Sequence, residues 1–357
     1  AICGSFTELV VYRIIGGVGI GVVSIVSPIY ISEVAMADRR GALVSLYQLA
    51  ITIGFLFAYF INWWILSVAE TAALDPAARF VSDFMNRIMV DEYWRGMLGS
   101  ETIPALLFFF IIFLIPESPR WLIVHGEGAK ASSVLQKIYL SPDEASRQKS
   151  ITEDSIKGEV KTEWKALLSP GILKAVLIGS AIAILGQFMG VNAVLYYGPE
   201  IFKEAGLSSG DALFSQVLVG FVNMGTTVIA LLIIDKVGRK NLVYWGVSGM
   251  ILSLLMIGFY FIFPEQLGSI FMLVFFLFYV FCCAISICAV VFVLLSEMYP
   301  NNVRGIAMSI AGLALWIGTY LIGQLTPWLL ANVPPFAPAG TFFLFALMCV
   351  PYLLIMW

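Results

Sequence analysis

The sequence predicts an all-α integral membrane protein, because its composition and its long apolar runs both indicate a lipid environment. Of the 357 residues, 60% are hydrophobic and only 12% are charged, whereas a soluble domain carries about 25% charged residues. The mean hydropathy is +0.94. Nine apolar runs recur along the chain, each with the roughly 20 residues that a helix needs to cross about 30 Å of hydrocarbon.

These nine runs give the predicted membrane spans in chain order. The predicted spans are Leu9–Ile31, Ala42–Leu66, Gly96–Ile115, Ile172–Tyr197, Leu213–Ile234, Leu242–Phe263, Ile270–Leu295, Ile306–Leu330 and Pro338–Trp357. The third and fourth spans are separated by a longer, charged segment at residues 116–171, whose pattern predicts short amphipathic helices. We therefore expect this segment to be a helical linker between two groups of membrane helices.

The distribution of basic residues predicts the orientation of the spans. If residues 116–171 are cytoplasmic, most of the 20 Lys and Arg residues share that side. Only Arg79, Arg87, Arg95 and Lys203 fall on the opposite side, and Arg13 lies inside a span. Since cytoplasmic loops are enriched in Lys and Arg, the sequence predicts a multi-pass inner-membrane protein with a cytoplasmic linker.

A short internal repeat predicts that the architecture is duplicated. Ser32-Glu33 precedes Arg40-Gly41, and Ser296-Glu297 precedes Arg304-Gly305 with the same spacing, each at the inner end of a span. Three spans lie between the linker and the span that ends at the second copy, whereas none precedes the span that ends at the first copy. We therefore expect a protein of six plus six helices whose first three are absent from this chain, which begins at Ala1. Parallel repeats around a midplane site are typical of transporters.

This duplication predicts three segments. They are a partial N-terminal helix bundle at residues 1–115, a cytoplasmic helical linker at 116–171 and a C-terminal six-helix bundle at 172–357.

Several motifs together resemble the sugar porters of the major facilitator superfamily. They are DKVGRK at Asp235–Lys240, PESPR at Pro116–Arg120, YRIIGG at Tyr12–Gly17, QF at Gln187–Phe188, GVN at Gly190–Asn192 and LYY at Leu195–Tyr197. Each string is short, but together they cover nearly the whole chain. The resemblance implies the major facilitator fold, of which about nine transmembrane helices are present here, and the transport of a pentose or hexose by alternating access.

The same resemblance implies a cytoplasmic gate built from charged pairs. In it, carboxylates pair with arginines when the protein faces outward: Glu33, Glu117, Asp235 and Glu297 with Arg40, Arg120, Arg239 and Arg304. An exposed pair contributes only about 0–1 kcal/mol, so the gate would have to act as a network. Solvated loop charges are the simpler alternative.

A sugar site is predicted near the interrupted fourth span. Gly190, Gly198 and Pro199 break helical continuity there. Sugar hydroxyls need partners that both donate and accept hydrogen bonds, as amide side chains do. The resemblance implies that the polar contacts are Gln48, Gln187, Asn192 and Asn223, the stacking face is Trp316, and the outer gate contains Tyr196 and Tyr197. Hydrogen bonds between helices are the alternative role for each.

The chain departs from the usual family pattern at several of these positions. Family members usually carry a second Gln where this chain has Gly186. They carry a Gly-Pro pair followed by Trp where it has Cys288-Ala289 and Phe292, and a polar residue where it has Leu315. We therefore expect fewer partners for sugar hydroxyls than in typical members.

Arg13 is predicted to belong to a proton-coupling site. A charge inside a membrane helix costs about 2.5–3.5 kcal/mol on insertion scales unless it is paired or hydrated, so Arg13 needs an anion. In proton-coupled members of the family, an arginine here sets the pKa of an acid on the first helix, and a glutamate at the position of Glu101 assists. The resemblance thus implies proton symport; uniport is the alternative, as is an interfacial role for Glu101.

Other residue types argue against an enzyme or a metalloprotein. The five cysteines, at positions 3, 282, 283, 288 and 349, lie in apolar surroundings and are predicted to be packing residues, and there is a single histidine. We expect no metal site, no cofactor and no nucleic-acid partner. The predicted partners are a monosaccharide, protons and the lipid bilayer, and the predicted state is a monomer. A membrane sugar sensor that does not transport remains an alternative function.

Overall fold

The computed structural model describes residues 3–36, 40–139, 141–157, 167–300, 303–333 and 338–356. Within those ranges, the side chains of residues 40–42, 44, 45, 157, 235, 296 and 297 are outside the description. Three predicted gate residues are affected: the side chains of Arg40, Asp235 and Glu297 are not among those described.

All regular structure in the described ranges is helical. The α-helices are α1 Phe6–Val34, α2 Arg40–Leu74, α3 Asp83–Asn86, α4 Tyr93–Ser100, α5 Thr102–Ile112, α6 Pro119–Val124, α7 Gly128–Tyr139, α8 Pro142–Lys157, α9 Pro170–Phe188, α10 Val191–Glu204, α11 Ser209–Val237, α12 Arg239–Ile262, α13 Ser269–Cys283, α14 Ala289–Met298, α15 Arg304–Asn332 and α16 Ala339–Met356. A 3₁₀ turn lies at Pro76–Ala78, and π-helical turns lie at Arg87–Asp91 and Ala284–Cys288.

Nine helical segments of the described chain are long and apolar enough to cross a membrane. They are Phe6–Val34, Leu46–Leu74, Tyr93–Ile112, Pro170–Glu204, Ser209–Ile234, Arg239–Ile262, Ser269–Leu295, Arg304–Asn332 and Ala339–Met356. The predicted all-α membrane architecture with nine spans is therefore confirmed. Several helices extend a few residues beyond the predicted apolar runs, because helical hydrogen bonding continues into the polar residues at their ends.

The chain divides into two compact units: Ala1–Ile51 with Trp64–Val160, and Thr52–Trp63 with Lys161–Trp357. In the first unit, α6, α7 and α8 pack around a small apolar core containing Leu122, Leu135 and Ala145. The long helix α1, by contrast, has no buried residue. An apolar helix with exposed apolar side chains is the pattern expected where the surroundings are hydrocarbon.

The second unit has a continuous core formed by α9 to α16. The rings of Phe202 and Phe276 lie 4.6 Å apart in this core. Glycines bring the helices close together. A Cβ on Gly246 of α12 would collide with Ser286, and one on Gly179 of α9 would collide with Tyr299. Close-packed helices of this kind are typical of membrane bundles.

Candidate sugar site at a broken helix

The fourth membrane span is broken at Gly190. Helix α9 ends at Phe188, α10 begins at Val191, and Gly190 between them has φ 91°, in the left-handed region. Glycine adopts this conformation without steric cost. A Cβ at this position would also lie 2.6 Å from Cδ2 of Phe345. The backbone therefore turns here, and the turn brings the side chains on either side of it together.

Gln187 and Asn192, on the two sides of this break, form a polar cluster with Thr319 of α15. Asn192 Nδ2 donates to Gln187 Oε1 over 2.6 Å, and Thr319 Oγ1 lies 3.2 Å from the same oxygen. Asn192 Nδ2 is also 3.4 Å from Thr319 Oγ1. All three side chains are half-buried. The structure thus joins two predicted sugar contacts with a third residue that the sequence analysis missed.

Thr319 was not predicted from the sequence, because the hydroxyl of a threonine in an apolar helix ordinarily hydrogen-bonds to the backbone of its own helix. Thr319 Oγ1 is indeed 3.0 Å from the carbonyl oxygen of Leu315, one turn earlier. Leu315 is the position where the resemblance noted in the sequence leads us to expect a polar residue. The hydroxyl of Thr319, on the next turn of the same helix, provides a polar group in its place.

The polar cluster leaves hydrogen-bonding groups open. Gln187 uses Oε1 and Asn192 uses Nδ2 within the cluster, and the described residues provide no hydrogen bond to Gln187 Nε2 or Asn192 Oδ1. One of these groups donates and the other accepts. Half-buried groups of this kind can bind a hydroxyl as a ligand.

The other predicted sugar contacts are Trp316, Asn223 and Gln48, and none of them is part of this cluster. Trp316 is 46% exposed on α15, one turn before Thr319. Asn223 is buried on α11 and lines a cavity of about 10 Å³ that also contacts Leu195 and Cys288. Gln48 is half-buried on α2 in the first unit.

Tyr197, predicted as a gate residue, donates a hydrogen bond to a helix that contains a proline. Its hydroxyl donates to the carbonyl oxygen of Gly323 over 2.8 Å. Pro327 lies four residues after Gly323 inside α15 and, lacking an N–H, cannot donate the usual helical bond. Tyr196, its neighbour, is 49% exposed, and the described chain contains no hydrogen bond from it.

A second carbonyl that a proline leaves without its helical donor also accepts hydrogen bonds from side chains. Pro199 lies inside α10 and leaves the carbonyl of Leu195 without its helical donor. This oxygen accepts from Tyr59 Oη at 2.9 Å and from Gln216 Nε2 at 3.0 Å. Unpaired backbone groups are costly inside a membrane, so these side chains offset the loss of the helical hydrogen bonds at the two prolines.

The two predicted coupling residues lie next to each other in the first unit. Arg13 NH1 of α1 is 3.6 Å from Oε1 of Glu101, which joins α4 to α5. The side chains are 57% and 65% exposed. Glu101 thus provides the anion that an arginine within a membrane helix requires.

The predicted gate residues lie at or next to helix ends. The described side chains cover only part of the proposed network. Glu33 lies in the last turn of α1, Arg120 at the start of α6, and Glu117 just before α6. Arg239 and Arg304 begin α12 and α15. Their predicted partners Asp235 and Glu297, together with Arg40, lie outside the described side chains, so the pairing remains a prediction.

Two further features define the second-unit gate region. Gly238, with φ 86°, forms the tight turn between α11 and α12. Arg304 Nε donates to the carbonyl of Tyr299 over 3.3 Å, and burial raises the pKa of the Tyr299 phenol.

Of two positions where the chain departs from the expected sugar-porter pattern, Gly186 is buried and Phe292 is exposed. A Cβ on Gly186 would lie 3.8 Å from both Ile287 and Tyr352. Phe292 is 49% exposed on α14. Neither residue adds a polar group to the Gln187 cluster.

The model of the family described as sugar (and other) transporter matches residues 1–357. The D-xylose-proton symporter of Escherichia coli is 36% identical over 362 residues, covering 100% of this chain and 69% of that protein. The arabinose-proton symporter of Bacillus subtilis is 36% identical over 346 residues, covering 97% and 70%. The glucose facilitated diffusion protein of Zymomonas mobilis is 33% identical over 315 residues, covering 88% and 62%.

Solved structures show the same relationship. The xylose transporter from Escherichia coli, in a partially occluded inward-open conformation, is similar with a TM-score of 0.79 at 35% identity, covering 98% of this chain and 70% of that one. The proton:xylose symporter bound to 6-bromo-6-deoxy-D-glucose gives a TM-score of 0.76 at 37% identity, with the same coverage.

The chain therefore belongs to the sugar (and other) transporter family, within the major facilitator superfamily. The predicted family and fold are confirmed, and so is the expectation of a multi-pass membrane transporter rather than an enzyme.

Proposed function

We propose that the protein carries a monosaccharide across the membrane together with protons, by opening its binding site to each side in turn. The observation that carries this proposal is the half-buried cluster of Gln187, Asn192 and Thr319 at the helix break. It presents an open amide donor and an open amide acceptor within a membrane bundle of the sugar transporter family.

The chemistry of the cluster suits a sugar hydroxyl. A hydroxyl donates one hydrogen bond and accepts others, so a single hydroxyl can accept from Gln187 Nε2 while another donates to Asn192 Oδ1. Relatives are named for D-xylose, arabinose and glucose. We therefore infer a pentose or hexose as the substrate class, and we retain Gln48, Asn223 and Trp316 as proposed further contacts.

Proton coupling rests on Arg13 and Glu101. Their charged groups are 3.6 Å apart within membrane helices, where protonation of the carboxylate would leave the arginine without its anion. Two of the relatives at 36% identity, those named for D-xylose and arabinose, are named as proton symporters. A facilitated diffusion protein at 33% identity supports uniport as the second candidate.

The organisation of the chain follows from this function. We propose a partial N-terminal bundle at residues 1–115, a cytoplasmic linker at 116–171, a C-terminal bundle at 172–357, and a monomeric protein. Charged pairs at the cytoplasmic helix ends would close that side. Single cysteines introduced as Glu117→Cys and Lys236→Cys should both react with an impermeant thiol reagent from the cytoplasm; reaction from opposite sides would refute this orientation.

Uptake by proteoliposomes tests the function directly. The full-length protein is reconstituted, and entry of labelled D-xylose, L-arabinose and D-glucose is measured with and without an inward proton gradient. We expect at least one of these sugars to accumulate above the external concentration only with the gradient. Equilibration that ignores the gradient would indicate a uniporter, and binding without entry would indicate a sensor.

A further inference from the structure

Two cysteines meet across a π-helical turn in the second unit. Cys283 is the last residue of α13, and Cys288 ends the π turn Ala284–Cys288. Their sulfur atoms lie 3.5 Å apart, and both thiols are free. From the sequence, both residues are predicted to be packing residues, because they lie in apolar surroundings.

The π turn itself brings the two sulfurs together. In an α-helix, with 3.6 residues per turn, side chains five residues apart point about 140° away from each other. In a π turn the hydrogen bond runs from residue i to i+5, so residues 283 and 288 lie one above the other. The two sulfur atoms are therefore adjacent only while this turn keeps its π-helical hydrogen bonds.

The pair also borders a small cavity. Its volume is about 10 Å³, roughly the space that one water molecule needs. Asn223 and Tyr279 line it together with both cysteines. Cys283 is 4% exposed, whereas Cys288 is only partly buried. A ligand that reaches both sulfurs must therefore be very small.

We propose that Cys283 and Cys288 form a dithiol binding site for small trivalent arsenic species. Sulfur ligands favour soft, thiophilic centres, and the sulfurs are already adjacent. Arsenite, As(OH)₃, would react with both thiols to give a cyclic (RS)₂AsOH and two water molecules. Two S–H and two As–O bonds break, two As–S bonds and two O–H bonds form, and arsenic stays trivalent. The bridge would stabilise the π-helical conformation of this turn.

Arsenic counting on purified protein tests the site. Detergent-solubilised full-length protein is incubated with arsenite, freed of excess by gel filtration, and analysed for arsenic per chain. We expect one bound arsenic atom in the unaltered protein and loss to background in Cys283→Ser and Cys288→Ser. The matched control is Cys282→Ser, because a Cβ on Gly249 would collide with the Cys282 sulfur, which places that thiol against α12; it should bind as the unaltered protein does.

Thiol protection in the unaltered protein provides a readout that does not depend on how the variants fold. After arsenite treatment, alkylation and peptide mapping should show Cys283 and Cys288 protected together. A dithiol such as 2,3-dimercaptopropanol should restore their reactivity. No bound arsenic in the unaltered protein would overturn the proposal. So would binding by either serine variant equal to that of the unaltered protein, or protection confined to other cysteines. None of these outcomes depends on whether the protein carries a sugar.

Discussion

The hydroxyl of Tyr197 donates to the carbonyl oxygen of Gly323 over 2.8 Å, which is the carbonyl that Pro327 leaves without a helical donor. Asn192 contacts Thr319, one turn earlier on α15. Two consecutive turns of α15 are thus bonded to α10, the helix that follows the break. Tyr197 connects the proposed sugar site to the turn of α15 that precedes Pro327.

Replacing Tyr197 with Phe should lower stability. The substitution removes the phenolic donor to the half-buried carbonyl oxygen of Gly323, and leaving an interior acceptor unpaired costs about 1–3 kcal/mol. Membrane proteins show smaller values, averaging about 0.6 kcal/mol, so we expect a loss of roughly 1 kcal/mol. Thermal unfolding in detergent measures it, with Tyr196→Phe as the matched control. An equal loss in both variants would contradict the assignment.

Pro327→Ala should reverse part of the Tyr197→Phe loss. Alanine supplies the backbone N–H that proline lacks, so Gly323 O regains its helical partner. In a double-mutant cycle, Tyr197→Phe should therefore cost less when residue 327 is alanine. Additive effects of the two substitutions would show that the hydroxyl and the proline act independently.

Tyr59→Phe should have a smaller effect than Tyr197→Phe. The carbonyl oxygen of Leu195 has two donors, Tyr59 Oη and Gln216 Nε2, so removing one leaves the other. The combined variant Tyr59→Phe with Gln216→Leu should lose more stability than the two single variants added together, because only then is the carbonyl unpaired. Chemical denaturation of the four proteins in detergent tests this; strict additivity would argue against a shared acceptor.

The fold was largely predictable because the membrane imposes simple requirements. Each apolar run had to become a helix, since the backbone has no other donors in hydrocarbon, and nine such helices occur in the described chain. The details at helix interruptions were less accessible. Gly190 and Pro199 indicated a break, but the π turn at Ala284–Cys288 has no comparable sequence signal.

The site was only partly predictable, for a physical reason. Gln187 and Asn192 lie within one span, so a break between them brings them together. Thr319 comes from a helix more than 120 residues away in sequence, and only the packing of α15 against α9 and α10 places it there. Asn223 was predicted as a sugar contact, but it lines a cavity beside Cys288 instead of joining the cluster.

Gln187→Ala should weaken sugar binding. It removes the open donor Nε2 and also the acceptor shared by Asn192 and Thr319, and we expect a loss of about 1–3 kcal/mol. Titration calorimetry with the transported sugar measures the change, and Gln266→Ala, in an exposed loop, is the control. Unchanged affinity in Gln187→Ala would remove this residue from the site.

Thr319→Val should also weaken binding, but by less. Valine keeps the shape of the side chain and removes only the hydroxyl that lies 3.2 Å from Gln187 Oε1. The amide of Gln187 is then less firmly oriented, although its open donor remains. The same calorimetric comparison checks this. Thr71→Val is the control, because the hydroxyl of Thr71 donates to the carbonyl of Ser67 within its own helix. An effect as large as that of Gln187→Ala would mean that Thr319 contacts the sugar itself.

Acid should weaken the segment between α3 and α4. Hydrogen bonds from Arg87 and Arg95 lower the pKa of Glu92 below its ordinary value of 4.5. A carboxyl with a depressed folded-state pKa stabilises the protein above its unfolded pKa, and this contribution disappears as the pH falls through the folded pKa. The difference in melting temperature between the unaltered protein and Glu92→Gln should therefore be constant near neutral pH and shrink below about pH 4.5. A difference that grows in acid would contradict this sign.

Glu101→Gln should separate coupling from transport. The amide keeps the shape of the side chain but removes the negative charge 3.6 Å from Arg13. We expect gradient-driven accumulation of sugar to fall strongly, while sugar exchange without a proton gradient continues. Glu265→Gln, at an exposed loop position, should retain both activities. Equal loss of exchange and accumulation would assign Glu101 a structural role.

Sugar-evoked proton movement tests the central claim most directly. A pH electrode records a lightly buffered suspension of proteoliposomes, without an imposed gradient, as the transported sugar is added. A proton symporter takes up protons with the sugar, so the account predicts immediate alkalinisation of the medium that a protonophore abolishes. Entry of labelled sugar without any change in external pH would contradict it.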